Sequence, residues 1–151
     1  EIEPWIQSKK RKAIQTGRFY LFDSGVKNTL LEISHLPRNS DGYGAACEQF
    51  IANELKAYLS YKRIRKPLTF WRTTSQFEVD FIVGDEIAIE VKASNKTSNR
   101  DQKGLIAIGE EKDWQFRLLV SQDPQEAQFE NGIIHLHWKT FLDRLWRDEY
   151  C

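Results

Sequence analysis

Glu78-Val79-Asp80-Phe81-Ile82-Val83-Gly84-Asp85-Glu86-Ile87-Ala88-Ile89-Glu90-Val91-Lys92 reads as two strands joined by a tight turn at Gly84-Asp85. From Phe77 to Val83 the pattern alternates. It sets Phe77, Val79, Phe81 and Val83 on one face and Glu78, Asp80 and Ile82 on the other. From Ile87 to Ala93, Ile87, Ile89 and Val91 share a face, and Ala88, Glu90, Lys92 and Ser94 point the opposite way. Glu90 and Lys92 therefore leave one side of a strand about 7 Å apart. A register that joins the polar faces of the two strands brings Asp80 alongside Glu90.

Outward from this hairpin, Leu68–Arg72 predicts a preceding strand, closed by a turn at Thr73-Thr74-Ser75. Before it, an amphipathic helix is expected from about Tyr43 to Tyr61, with Cys47, Ile51, Ala52, Leu55, Tyr58 and Leu59 on its apolar stripe. Glu48 falls inside that stripe, so its carboxylate needs a partner, a metal or a wet cleft to offset desolvation. After the hairpin, a polar loop from Asn95 to Arg100 leads into a helix from Asp101, read as its N-cap, to about Lys112. Strands at Trp114–Val120 and Ile133–Leu136 and a helix from Lys139 to about Asp148 complete the chain. At the N-terminus, residues 1–16 read as a helix or a docking arm. Arg18–Phe22 reads as a short strand or buried extended piece, and Asp23 or Ser24 as the cap of a helix to about Ile33. Leu36–Gly42 is the clearest loop. The order predicts an α/β domain, a central mixed sheet flanked by helices.

Asp80, Glu90 and Glu48 would place three carboxylates beside the Lys92 ammonium where core residues are otherwise expected. Oxygen-rich clusters suit hard divalent cations such as Mg²⁺, with Mn²⁺ as a substitute. Such an ion polarises a phosphoryl oxygen, and a neighbouring lysine stabilises developing charge. Phosphodiester hydrolysis fits better than acyl transfer, because the sequence presents no evident Ser/His or Cys/His pair.

Asp80 followed by Glu90-Val91-Lys92, after a helix carrying Glu48, resembles the PD-(D/E)XK nuclease superfamily, with Val79 in place of the proline that often precedes the aspartate. A longer ordered set resembles the C-terminal domain found after AAA-type ATPase modules in bacteria and archaea. It includes Phe19-Tyr20-Leu21-Phe22-Asp23-Ser24-Gly25, Glu48–Leu55, Phe70-Trp71-Arg72-Thr73, Glu78-Val79-Asp80-Phe81, Ala88–Ser94 and Lys103-Gly104-Leu105. The resemblance implies a restriction-endonuclease-like fold and an ATPase module in the same polypeptide. It further implies Asp80, Glu90 and the Val91 carbonyl as metal ligands, Lys92 as the catalytic lysine, and Glu48 as an additional metal or water contact. The alternative function is that of a non-catalytic member of the same fold that binds nucleic acid or regulates the ATPase by protein contact. No Walker-type GxxxxGK[ST] occurs, so ATP binding is not assigned to this chain.

Length and composition bound the remaining expectations. A chain of 151 residues and 17.8 kDa with 40% hydrophobic and 29% charged residues has the makings of one self-supporting domain. It divides into an N-terminal extension (1–42), a nuclease-like core (43–120) and a C-terminal strand and helix (121–151). The absence of an initiator methionine suggests a piece of a longer ATPase-containing protein. Two cysteines and no membrane-length apolar run point to a cytoplasmic setting without a membrane partner. Net charge is zero, yet residues 1–75 carry 13 Lys and Arg against 7 Asp and Glu, whereas the rest carry 9 against 15. The basic run Lys62, Arg63, Arg65 and Lys66, beside Tyr58 and Tyr61, is a candidate nucleic-acid contact, as is Lys103 at a helix edge. DNA is the expected partner, and two-stranded cleavage by a single site would favour a homodimer. Cys47 reads as a core thiol, Ser94 as a capping or loop residue, and His135 and His137 as surface or end-of-strand residues rather than ligands.

Overall fold

A computed structural model describes residues 1–21, 25, 37–38 and 40–150. Strands β1 (Glu3–Pro4), β2 (Leu68–Arg72), β3 (Glu78–Val83), β4 (Ile87–Val91), β5 (Phe116–Ser121), β6 (Ala127–Gln128) and β7 (Ile133–His137) form one sheet, ordered β1-β2-β3-β4-β5-β7-β6. The β2-β3-β4 meander is antiparallel, and β4, β5 and β7 run parallel to one another. Helices α1 (Asp41–Tyr61) and α3 (Trp138–Trp146) cover one face. Helix α2 (Lys103–Gly109), entered through a 3₁₀ turn at Asn99–Gln102, covers the other. This is the mixed α/β sheet flanked by helices that the chain order predicts.

Two cores result. Ile51, Leu55 and Tyr58 of α1 and Phe141 and Leu145 of α3 pack on Phe81, Ile89, Leu118 and Val120. Leu105 and Ile108 of α2 pack with Trp5, Trp71 and Ile82 on the opposite side. Each fully buried apolar side chain of this size contributes about 1.5–3 kcal/mol.

One sequence expectation fails within the central hairpin. Phe81 and Val83 join the α1 core, but Val79 joins the α2 core with Ile82. The cause is a bulge: Leu68 and Thr69 pair with Val83 and Ile82, whereas Trp71 and Arg72 pair with Val79 and Glu78. Asp80 and Phe81 therefore stand opposite Phe70 alone. The extra residue reverses the alternation at the position of Asp80, as bulges do where a side chain must be re-aimed. The turn itself behaves as read, with Gly84 at φ +58, a conformation costly for any residue with a Cβ.

Helix ends also shift. Helix α1 begins at Asp41 because the Ser40 hydroxyl accepts the Tyr43 amide hydrogen at 3.2 Å. Ser98, not Asp101, caps the 3₁₀ turn, and Asp101 accepts back from the Ser98 amide at 2.7 Å. Trp114 lies outside β5 because its indole donates to the Ile108 carbonyl at 2.9 Å. Cys47 is half-buried against Gln122 rather than in the core. The expected helix from Asp23 to Ile33 lies, apart from Gly25, outside the described residues, as do Leu36 and Asn39 of the expected loop, whose Asp41 and Gly42 instead open α1.

Residues 1–16 form a docking arm rather than a helix. Strand β1 pairs in parallel with β2, and Ala13 bridges Thr73. Glu111 anchors the arm: its carboxylate accepts the amides of Lys9 and Lys10, both at 2.7 Å, and faces Arg11 at 3.3 Å. Burial opposes its ionisation, but these donors outweigh burial and hold its pKa below the usual carboxylate value. The anchoring is therefore present above the ordinary unfolded pKa and lost as pH falls through the lower folded value. Glu111→Gln is expected to weaken the arm by about 1–2 kcal/mol. In hydrogen exchange at neutral pH the Lys9 and Lys10 amides should then exchange about 10-fold faster while β5 is unchanged. Unaltered arm protection would show that the charge is immaterial.

Candidate active site

The β3–β4 ladder pairs Val83 with Ile87, Ile82 with Ala88 and Phe81 with Ile89. The next positions in this register are Asp80 and Glu90. Here the strands cease to exchange backbone bonds, and the Asp80 carboxylate instead accepts the Val91 amide hydrogen at 2.8 Å. Asp80 and Glu90 are each 6% exposed. Burial first, and then the charges of Glu90 and Glu48, push the Asp80 pKa well up, against the pull of the Val91 amide and Lys92. Burial likewise raises the Glu90 carboxyl, opposed by Lys92.

Lys92 lies beyond Glu90 on the same strand face, with Nζ 2.6 Å from Glu90 Oε1. Burial alone would lower its pKa, but Glu90 outweighs that and the net shift is upward. Lys92 is thus an ammonium at neutral pH, a hydrogen-bond donor rather than a base. The second carboxylate oxygen, Glu90 Oε2, is buried without a hydrogen-bond partner. Such an atom is costly to bury unless something outside the chain satisfies it.

Glu48 reaches the same cleft from the second turn of α1. There it accepts a hydrogen bond from the Tyr20 hydroxyl and meets Arg18 at 3.1 Å. Arg18 also pairs with Glu78, lies 3.6 Å from Asp80, and stacks 4.6 Å over the Phe70 ring. Arg72 approaches Glu78 at 3.7 Å from the solvent edge. Arg18, Tyr20 and Glu78 were not singled out from the sequence. The available signal was alternation: Arg18 and Tyr20 point inward, while Phe19 is 78% and Leu21 45% exposed. The expected buried piece is therefore buried on one side only.

Glu48, Glu78, Asp80, Glu90 and Lys92 line a cleft of about 980 Å³, which Arg38, Arg100 and Lys103 also line, and Arg18 and Tyr20 contact its Glu48 without lining it. The basic run after α1 lies elsewhere. Lys62 is 14 residues beyond Glu48, about 21 Å along a helix, and pairs with Asp148 at 2.8 Å. Lys66 pairs with Glu86, and neither Arg63 nor Arg65 lines the cleft. A Ser/His pair does exist, since Ser121 Oγ lies 2.8 Å from His135 Nε2. Both residues are buried, with His135 only 1% exposed, so the expected surface role for His135 is replaced by a structural one. His137 accepts the Lys139 amide hydrogen at the start of α3.

The chemistry of the donor set fits a hard cation. Glu48, Glu78, Asp80 and Glu90 offer only oxygen, and the orphaned Glu90 oxygen is available to it. Gly104 lets α2 approach β3 closely beside them, as a Cβ there would overlap the Glu78 carbonyl oxygen and lie 3.5 Å from Glu90 Oε2. Among the described residues no three His, Cys, Asp or Glu side chains converge on one point as arranged. Among the described residues, Arg18, Lys92 and, from the solvent edge, Arg72 are the cations that face these carboxylates.

A family model described as Domain of unknown function (DUF4143) matches residues 43–141, from α1 into α3. The chain belongs to this family. The DUF4143 match contains Glu48, Asp80, Glu90 and Lys92, while Arg18 and Tyr20 lie N-terminal to it. No curated protein and no solved structure matches the chain. No helix among the described residues is long and apolar enough to cross a membrane.

Proposed function

We propose that this domain hydrolyses phosphodiester bonds in DNA, using a divalent cation held by Asp80, Glu90 and the Val91 carbonyl, with Glu48 as a further contact. The observation that carries the reading is the buried, unpartnered Glu90 oxygen beside Asp80 in a water-accessible cleft. When bound, Mg²⁺ or Mn²⁺ would polarise the phosphoryl oxygen and lower the pKa of a coordinated water. Lys92, held protonated by Glu90, donates to the charge that develops on the phosphoryl oxygens. Arg38, Arg100 and Lys103 give the cleft cationic walls that suit a phosphate backbone. Kinship to the PD-(D/E)XK superfamily and an ATPase module in the same polypeptide rest on the sequence resemblance. A homodimer would let two such sites cut both strands.

A second reading is a non-catalytic domain that binds nucleic acid or regulates that ATPase. It draws on Arg18, which already neutralises part of the carboxylate cluster.

The test is cleavage of labelled duplex, single-stranded and branched DNA with Mg²⁺ or Mn²⁺. Lys92→Met should lower the rate about 100-fold without weakening Mn²⁺ binding measured by calorimetry. Activity that survives Lys92→Met intact removes Lys92 from the chemistry. No cleavage by the wild-type domain, together with no Mn²⁺ binding, favours the second reading.

A further inference from the structure

Arg18 stands where a cation is wanted. Its guanidinium meets Glu48 at 3.1 Å, pairs with Glu78 and lies 3.6 Å from Asp80, while Tyr20 donates to Glu48. These contacts engage two of the carboxylates assigned above to a metal, Asp80 and Glu48. The segment that delivers Arg18 has few backbone bonds to the sheet. Ile14 is still bonded to the sheet through the Arg72 carbonyl at 2.7 Å. Beyond it Gln15 and Thr16 are exposed, and Phe19 and Leu21 turn outward. One antiparallel bridge to Ile2, with bonds of 2.8 and 2.9 Å, secures the backbone at Arg18. Tyr20 also packs 5.8 Å from the Phe81 ring and Gln49 donates to the Leu21 carbonyl at 2.9 Å, but the ion pairs of this finger are all made to the carboxylates themselves.

We propose that Arg18 is a displaceable internal counterion: the finger formed by residues 15–21 and a divalent cation compete for Glu48 and Asp80, so the finger autoinhibits the site until metal loading releases it. The inference rests on the metal-site reading given above. Two cations drawn to the same oxygens repel each other at short range. By linkage, whatever factor Arg18 takes from metal affinity, bound metal takes from finger docking.

Mn²⁺ titrations of the full chain, followed by the electron paramagnetic resonance of free Mn²⁺, would compare wild type with Arg18→Gln. Arg18→Gln is expected to bind Mn²⁺ about 10-fold more tightly, within the usual range of coupling between sites. Equal or weaker binding by Arg18→Gln overturns the competition while leaving the metal site standing. Absence of Mn²⁺ binding in both proteins overturns the competition and the metal reading together.

A second measurement needs no variant. In wild type, saturating Mg²⁺ should speed hydrogen exchange at the Ile2 and Arg18 amides about 10-fold and leave those of β4 protected. Unchanged exchange at metal saturation overturns the proposal even if Arg18→Gln does not fold.

Discussion

Asp80→Asn is expected to reduce metal-dependent DNA cleavage by more than about 1,000-fold and, in metal-free buffer at pH 8, to make the domain more stable. The two effects share one cause. Asp80 is 6% exposed and its carboxyl is pushed up by burial and then by Glu90 and Glu48. For an acid whose folded pKa exceeds its unfolded value, the folded state holds its proton more tightly. Its contribution to stability is therefore fully present below the unfolded pKa, about 3.9, and is lost as pH rises through the raised folded value.

Asparagine carries no charge to repel Glu90, and its carbonyl oxygen can still accept the Val91 amide hydrogen. Removing the buried charge is expected to add about 1–2 kcal/mol, or roughly 2–8 °C in Tm for a domain of this size. The gain should shrink toward pH 4, where the wild-type carboxyl is increasingly protonated in both states. Thermal melts at pH 4, 6 and 8 in EDTA, beside cleavage assays in Mg²⁺, would show this opposition of stability and function. A variant less stable than wild type at pH 8 would mean that pairing with Arg18 outweighs repulsion within the cluster.

Gly104→Ala should do the reverse. An exposed helical glycine normally gains about 1 kcal/mol on becoming alanine, because alanine loses less backbone freedom on folding. At Gly104 a Cβ would overlap the Glu78 carbonyl oxygen, which is strand backbone and cannot swing aside as a side chain can. Overpacking of this kind costs about 1–3 kcal/mol, occasionally more. Since even the upper half of that range exceeds the helix gain, urea denaturation is expected to show a net loss of about 1–2 kcal/mol. Helix α2 must also retreat from β3, which moves Lys103 and opens the cleft beside Glu90. Any net stabilisation would show that α2 and β3 can separate freely.

Much of the layout of the site is legible in the sequence. Glu48, Asp80, Glu90 and Lys92 sit on elements whose kinds follow from apolar spacing, and the Gly84 turn brings Asp80 back toward Glu90. Position along a helix also explains why the Lys62–Lys66 run misses the cleft. Arg18 was not legible. It lies 30 residues from Glu48 in the chain, and nothing in its neighbours announces an ionic partner. Cys47 and His135 failed for a related reason: helical or strand spacing gives a side chain's direction, but not the depth of what it faces.

Alternating and helical patterns, turn residues and chain order were enough to specify a mixed α/β sheet with a carboxylate-bearing hairpin beneath a helix. Those signals arise from local backbone sterics and from the apolar face each element must bury, so they can be read in windows of a few residues. The reversal of Val79 belongs to the tertiary structure, because a bulge depends on how β2 meets β3 and not on either strand alone. The strand separation that turns Asp80 toward Val91, the docking of Glu111 on the arm and the insertion of Arg18 among the carboxylates belong there too. Each joins groups far apart in the chain. Their energies depend on distance and desolvation, which chain order does not encode.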